Sequence, residues 1–197
     1  MRDASGEPSA DLLARARRGE ARAFEDLARS VERPLYRHAY RMLTNASDAE
    51  DVVQDAFLAA WKSLSSFEGS SFRAWIFRIT TNRALDRLRA RKRRPELPLD
   101  PPDDEDEPGW AEPAAGGPEL AELVGDREAV SLVEEALDLL PPEQRAALLL
   151  RDVEGFAYEE IATITVTEIG TVKSRIHRGR LAVRNALVAK GWKGSSG

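Results

Sequence analysis

Residues 95–119 read PELPLDPPDDEDEPGWAEPAAGGPE, and this stretch constrains the fold more than any other. Its prolines remove backbone donors and its acids repel one another, so it can bury little and is expected to act as a linker. It divides a chain of 197 residues into two parts, each the size of a small domain.

Helical spacing of apolar residues flanks the linker on both sides, with no strand-like alternation. Before it, the pattern predicts helices near 9–18, 21–43, 48–64 and 71–93. Pro34 is expected to kink or divide the second, Ser47 and Glu50 form an S-x-x-E capping box for the third, and Pro95 ends the fourth. After it, helices are predicted near 127–139, 142–153, 158–164 and 168–190, with Pro142 in a first turn and Gly155 just past an end. The expected fold is all-α: two small helical domains over 10–94 and 127–190, joined by an acidic flexible linker over 95–126. The last two helices, a short one, a tight turn and a longer basic one, form a helix-turn-helix pattern.

Net charge is −5, but the charge is segregated. Residues 1–94 carry 19 Lys/Arg against 13 Asp/Glu, and residues 95–130 carry 1 against 12. Residues 131–168 carry 2 against 9, whereas 169–197 carry 7 bases and no acid. Blocks of one sign suggest separate surfaces for separate partners. Enzyme chemistry finds little support: there is no Cys, the two histidines are isolated, and no phosphate-binding loop or ligand cluster is evident. Neither a cofactor nor a metal is expected; Lys173-Ser174 lacks the glycine frame of a P-loop, and His177 has no ligand partner nearby in sequence. No apolar run approaches the ~20 residues of a membrane-spanning helix, and the first residues lack the apolar core of a secretory signal, so a cytoplasmic protein without membrane insertion is expected.

The basic helix can be tested by placing residues 100° apart. Ile169, Val172, Ile176, Val183 and Leu187 fall in one apolar sector. Ser174 and Arg178 lie opposite, flanked by Thr171 and Arg175 on one side and Lys173 and His177 on the other. Such a helix suits the DNA major groove, where Arg and Lys read guanine edges; a solvated basic surface is the plainer alternative.

The N-terminal part has two further faces. On the third helix, Val53, Phe57, Ala60 and Leu64 define a core side, while Asp48, Asp51 and Asp55 gather opposite, beside Val52 and Ala59 and with Leu58 at the margin. This stripe is equally readable as solvated surface or as a dock for a basic partner helix. On the fourth helix, Phe72, Trp75, Ile76, Phe77 and Ile79 are apolar around much of the circumference, and residues 83–94 hold seven bases and one acid, Asp86. Aromatics near a basic run, after the loop SSFEGSS, suit single-stranded nucleic acid, although core packing is the commoner role for Trp75 and Phe77 taken singly.

Three segments in order, DAEDVVQDAFLAAWKSL, FRAWIFRITTNRALDRLR and LPPEQRAALLLRDVEGFAYEEIA followed by GTVKSRIHRGR, resemble a bacterial RNA polymerase sigma factor of the extracytoplasmic-function type. The resemblance spans nearly the whole chain outside the linker and tails. It implies a region-2 domain over 10–94 and a region-4 domain over 127–190. Asp48, Asp51, Val52, Asp55, Leu58 and Ala59 would meet the β′ coiled coil of core polymerase. Ser65, Phe67, Trp75, Asn82, Arg83, Asp86 and Arg87 would contact the −10 element, with Asn82 and Asp86 facing the extruded base. Thr171, Lys173, Ser174, Arg175, His177 and Arg178 would read the −35 element. The implied partners are core RNA polymerase, through the β′ coiled coil and the β flap, promoter DNA, and an anti-sigma factor. A helix-turn-helix regulator that never binds polymerase is the alternative; it leaves the acidic face of the third helix unexplained. The family usually carries Gly in the turn before the recognition helix, where this chain has Val166 between Thr165 and Thr167. Either Val166 is held at positive φ under strain, or the turn has shifted to a geometry comfortable for a β-branched residue.

Overall fold

The computed structural model describes residues 7–69, 71–93 and 127–191, so the expected linker and the final GSSG lie outside the described residues. All regular structure among these residues is helical: α1 (Ala10–Arg17), α2 (Ala21–Leu43), α3 (Ala46–Ser63), α4 (Phe72–Arg93), α5 (Arg127–Asp138), α6 (Pro142–Leu148), α7 (Tyr158–Thr165) and α8 (Ile169–Ala189). A 3-10 turn (Leu64–Ser66) follows α3, and a π turn (Leu149–Val153) continues α6.

In the N-terminal bundle α2 is the spine. Its buried residues Ala23, Leu27, Val31, Leu35, Ala39 and Met42 recur every three or four positions, one helix face that packs on α1, α3 and α4. Pro34 does not divide this helix. The apolar stripe continues across it through Val31 and Leu35, both buried, and their packing holds the turn that lacks one amide donor. Thr44 ends α2 in the left-handed conformation, φ 51°.

The expected capping box is displaced. Helix α3 starts two residues earlier than predicted because Asn45, extended at φ −141°, accepts the amide of Asp48 at 2.9 Å, which leaves Ser47 inside the first turn. The start of α4 is fixed by two side chains: Ser71 Oγ accepts from the Ala74 amide at 2.9 Å, and the Glu7 carboxylate accepts from the Arg73 amide at 3.3 Å and from Ser71 Oγ at 2.6 Å.

In the C-terminal bundle Pro142 occupies a first helical turn and Gly155 stands at φ 76°, as the sequence predicts. The single helix predicted over 142–153 instead widens into the π turn, where the Glu154 amide donates to the Leu149 carbonyl at 3.0 Å. That turn delivers Asp152 to α8, where Arg180 Nε donates to its carboxylate at 2.9 Å. Val172, Ile176, Val183 and Leu187 of α8 are buried against α5, α6 and α7. Ile169, expected with them, is exposed: it is the first residue of α8 and lies beyond the end of that packing.

The two bundles pack together through α4, which lies on α7 and α6. Phe77 meets Phe156 edge-on at 5.1 Å, and Arg145 Nη1 donates to the Met42 carbonyl near the end of α2 at 3.0 Å. Burial of aromatic and aliphatic side chains at roughly 1.5–3 kcal/mol each makes this seam part of the core rather than a loose contact.

Candidate nucleic-acid and partner interface

Helices α3 and α4 bring together groups that the sequence assigns to different partners. Asp48 is bonded by both Arg87 and Arg91, Arg87 also reaches Asp51 at 3.1 Å, and Arg83 reaches Asp55 at 3.5 Å. The acidic stripe is therefore laddered by the basic ridge of α4, and its field is partly neutralised within the bundle. Beyond the ladder, Leu58 is 54% exposed and Trp61, one turn on, is also exposed while its ring tilts on Phe24 at 5.0 Å. Trp61 escaped the sequence reading; its spacing from Leu58 was the available signal. Ala59 is half-buried beside them. Val52 is only 2% exposed and its side chain belongs to the core, so it cannot touch a partner directly.

The loop before α4 is built on an aromatic stack. Phe67 lies on Trp75 at 4.8 Å between ring centroids, and Trp75 meets Phe72 at 5.9 Å. A Cβ on Gly69 would sit 2.6 Å from the Phe67 ring, so any larger residue there would have to displace that ring. Phe67 is consequently buried and supports the loop rather than presenting a face for a base. Ser65 is exposed on the preceding turn. Trp75, Ile79, Asn82 and Asp86 follow one another at helical spacing along α4, a ridge that leads away from the loop; Asn82, Arg83 and Arg87 are half-buried, and Asp86 is exposed with Arg89 at 3.3 Å.

In the C-terminal bundle α7 supports α8, and Glu160 accepts the Ala157 amide at 2.8 Å to cap α7. The turn between them places Val166 at φ 54°, ψ 48°, with the Thr167 amide closing on the Ala162 carbonyl at 3.0 Å. This is the left-handed helix ending that glycine usually supplies. Thr171, Lys173 and Arg178 are exposed; Ser174, Arg175 and His177 are half-buried. Lys173 Nζ lies 5.8 Å from the Tyr158 ring, which also carries the Arg151 guanidinium at 4.8 Å. Among the described residues no group of three or more His, Asp or Glu could hold a metal ion, and no helix is long and apolar enough to cross a membrane.

An all-α chain with a helix-turn-helix that offers Lys and Arg outward, tied to a second bundle with an aromatic loop and a basic helix, defines a two-part DNA-binding transcription factor. Family comparison narrows the class. Residues 27–94 match the model of Sigma-70 region 2, and residues 131–183 match that of Sigma-70, region 4. The ECF RNA polymerase sigma factor SigE of Mycolicibacterium smegmatis is 38% identical over 167 residues, which are 84% of this chain and 62% of that one. The RNA polymerase sigma-H factor of Pseudomonas aeruginosa is 37% identical over 190 residues, covering 92% and 94% of the two chains. Among solved structures, the sigma factor RpoE in complex with the anti-sigma factor NepR from Bartonella quintana superposes with a TM-score of 0.61 at 28% identity, over 84% of this chain and 96% of that one. The chain belongs to the extracytoplasmic-function sigma factors of the sigma-70 family.

Proposed function

We propose that this chain binds core RNA polymerase and directs it to promoters that carry both a −10 and a −35 element, with residues 10–94 acting as region 2 and 127–190 as region 4. It is an initiation factor and not an enzyme. The observation that carries the reading is the joint presence, in family order, of a region-2 bundle with its α3 ridge and a region-4 helix-turn-helix with Thr171, Lys173 and Arg178 exposed. Helix α3 would dock on the β′ coiled coil through Leu58 and Trp61, with Asp51 and Asp55 at the rim; region 4 would meet the β flap. Ser65, Trp75, Asn82, Arg83, Asp86 and Arg87 would engage the −10 element, and Thr171, Lys173, Ser174, Arg175, His177 and Arg178 the −35 element. An anti-sigma factor is the expected regulator, as for the Bartonella quintana protein, and the site of action is the cytoplasm, where polymerase works.

Transcription reconstituted with core polymerase on a randomised promoter library tests this. Enrichment of a paired −10/−35 motif only when the chain is present is expected; DNA binding with no capture of core polymerase would favour the regulator alternative. For the dock, Leu58→Glu should abolish polymerase capture and leave helical content unchanged, because the side chain is exposed and outside the ion ladder. Undiminished capture would remove that ridge from the interface.

A further inference from the structure

Glu7 lies before α1 and ahead of the residues 27–94 that match region 2, yet it reaches the start of α4. Both of its carboxylate oxygens lie 3.3 Å from the Arg73 amide, and Ser71 Oγ donates to one of them at 2.6 Å. The same hydroxyl accepts the Ala74 amide at 2.9 Å, and the Ser71 carbonyl accepts the Trp75 amide at 3.2 Å. Two amides that a first helical turn leaves without an intrahelical partner are thus taken by one linked pair, Ser71 and a carboxylate from 64 residues earlier. The negative charge also faces the positive end of the helix dipole.

The residues behind Glu7 make this contact a strut. Pro8 is buried and restricts the backbone one residue on. Ser9 then caps α1 by accepting the Leu12 amide at 3.3 Å, and α1 packs on α2 and on the turn Leu64–Ser66 that precedes Phe67. The carboxylate is therefore anchored to the bundle at one end and holds α4 at the other. Trp75 stands in the first turn of α4, and its ring carries the Phe67 ring at 4.8 Å. Fraying of that turn would shift Trp75 and, with it, the stack on which the loop is built. We propose that Glu7 is a positioning residue for −10 recognition: by fixing the first turn of α4 it sets where Trp75, and beyond it Asn82 and Asp86, stand relative to the loop. The inference rests on the region-2 reading and adds to it a residue that acts through the helix rather than on the DNA.

Transcription of the randomised promoter library by core polymerase with the full chain reads −10 and −35 preference in one measurement. Glu7→Ala should lower the preference for the favoured −10 bases about fivefold, the factor that one helix cap represents, and leave the −35 preference at its wild-type value. Glu7→Gln, whose amide oxygen can still accept from the Arg73 amide or the Ser71 hydroxyl, should fall between. Ser71→Ala should also lower the −10 preference, and adding Glu7→Ala to it should cost less than the two separate losses multiplied, because the two side chains act as one pair. In the free chain, hydrogen exchange at the Arg73 and Ala74 amides should quicken in Glu7→Ala while the amides of α2 keep their rates. Wild-type −10 preference in Glu7→Ala, an equal loss of −10 and −35 preference, or unchanged exchange at Arg73 would each overturn the proposal. Asn82→Ala separates it from the reading beneath it. If Asn82→Ala lowers the −10 preference and Glu7→Ala does not, this inference falls alone; if neither lowers it, α4 is not the reader and both fall.

Discussion

Replacing Val166 by Gly should stabilise the protein, an outcome opposite to the usual effect of introducing glycine. The backbone at Val166 is left-handed, φ 54° and ψ 48°, so the alternative of a turn rearranged to negative φ does not hold. Left-handed backbone costs a non-glycine residue about 1–2 kcal/mol, and a β-branched side chain belongs at the upper end. Two effects oppose the relief. Glycine adds freedom to the unfolded chain, worth about 0.4–1 kcal/mol. The Val166 side chain also loses what little it buries, and at 65% exposure that is about 0.5 kcal/mol, a fraction of the ~1.5–3 for full burial. The balance favours Gly by roughly 0.5–1 kcal/mol, equivalent to about 1–4 °C in Tm for a chain of this size. Thermal melts of the full chain measure it, with Val166→Asn as an intermediate, because Asn tolerates the left-handed region, and Val166→Ala near wild type. Relief of the turn should also strengthen −35 binding by fixing the angle of α8. A lower Tm for Gly than for Val would refute the strain argument. A gain in Ala equal to that in Gly would place the strain in side-chain crowding and not in φ.

Three further outcomes are expected. Burial, with Arg41 and Arg73 adding to it, pushes His38 from 6.5 down to about 3, so the unfolded chain binds a proton that the folded chain refuses; this stability is full above pH 6.5 and falls on acidification by about 1.4 kcal/mol per pH unit. Urea melts between pH 7 and 4 should show the decline steepening toward that slope, and His38→Gln, which can still bond Thr81, should flatten it. Arg145→Met keeps the stem but deletes the bonds to the Met42 carbonyl and to Asp138 at 3.3 Å, and should cost about 1–2 kcal/mol in the same melts, the low end because Arg145 Nε has no partner in its burial. Arg178→Ala should weaken discrimination among −35 sequences by about 1–3 kcal/mol; an equal loss on every sequence would mark Arg178 as a phosphate contact.

The division into two helical bundles was legible because it depends on composition and period, which are local. Helix α8 was read correctly where its packing is deep, at Val172, Ile176, Val183 and Leu187, and wrongly at Ile169, because a helical wheel has no ends and the packed length of a helix does. Helix α3 started early because Asn45 competes with Ser47 for the cap, and backbone geometry decides between them. Val52 shows the limit of a face drawn from angles alone: it borders the acidic stripe on a wheel, yet it is buried in the core of the bundle. The resemblance implied a DNA contact for Phe67, and only the stack on Trp75 reveals that the loop uses its ring as a foundation.

The charge pattern carries the deeper lesson, because the acidic stripe of α3 and the basic run of α4, read from the sequence as separate faces, meet in the fold. The bases of α4 run alongside the acids of α3, and each of Asp48, Asp51 and Asp55 finds an arginine partner there. Surface pairs of this kind add little stability one by one, so their main consequence is electrostatic: a partner helix that approaches α3 meets a ladder already balanced, and must exchange with Arg83 and Arg87 to reach the acids. Attraction of that kind is weak, which would leave the exposed apolar pair Leu58 and Trp61 as the main source of binding energy if a partner docks there, as proposed above. The same exchange would release Arg83 and Arg87 on the helix assigned to the −10 element. Docking on α3 and strand engagement by α4 would thereby be coupled through shared ion pairs, each easing the other by the reciprocity that any such linkage obeys.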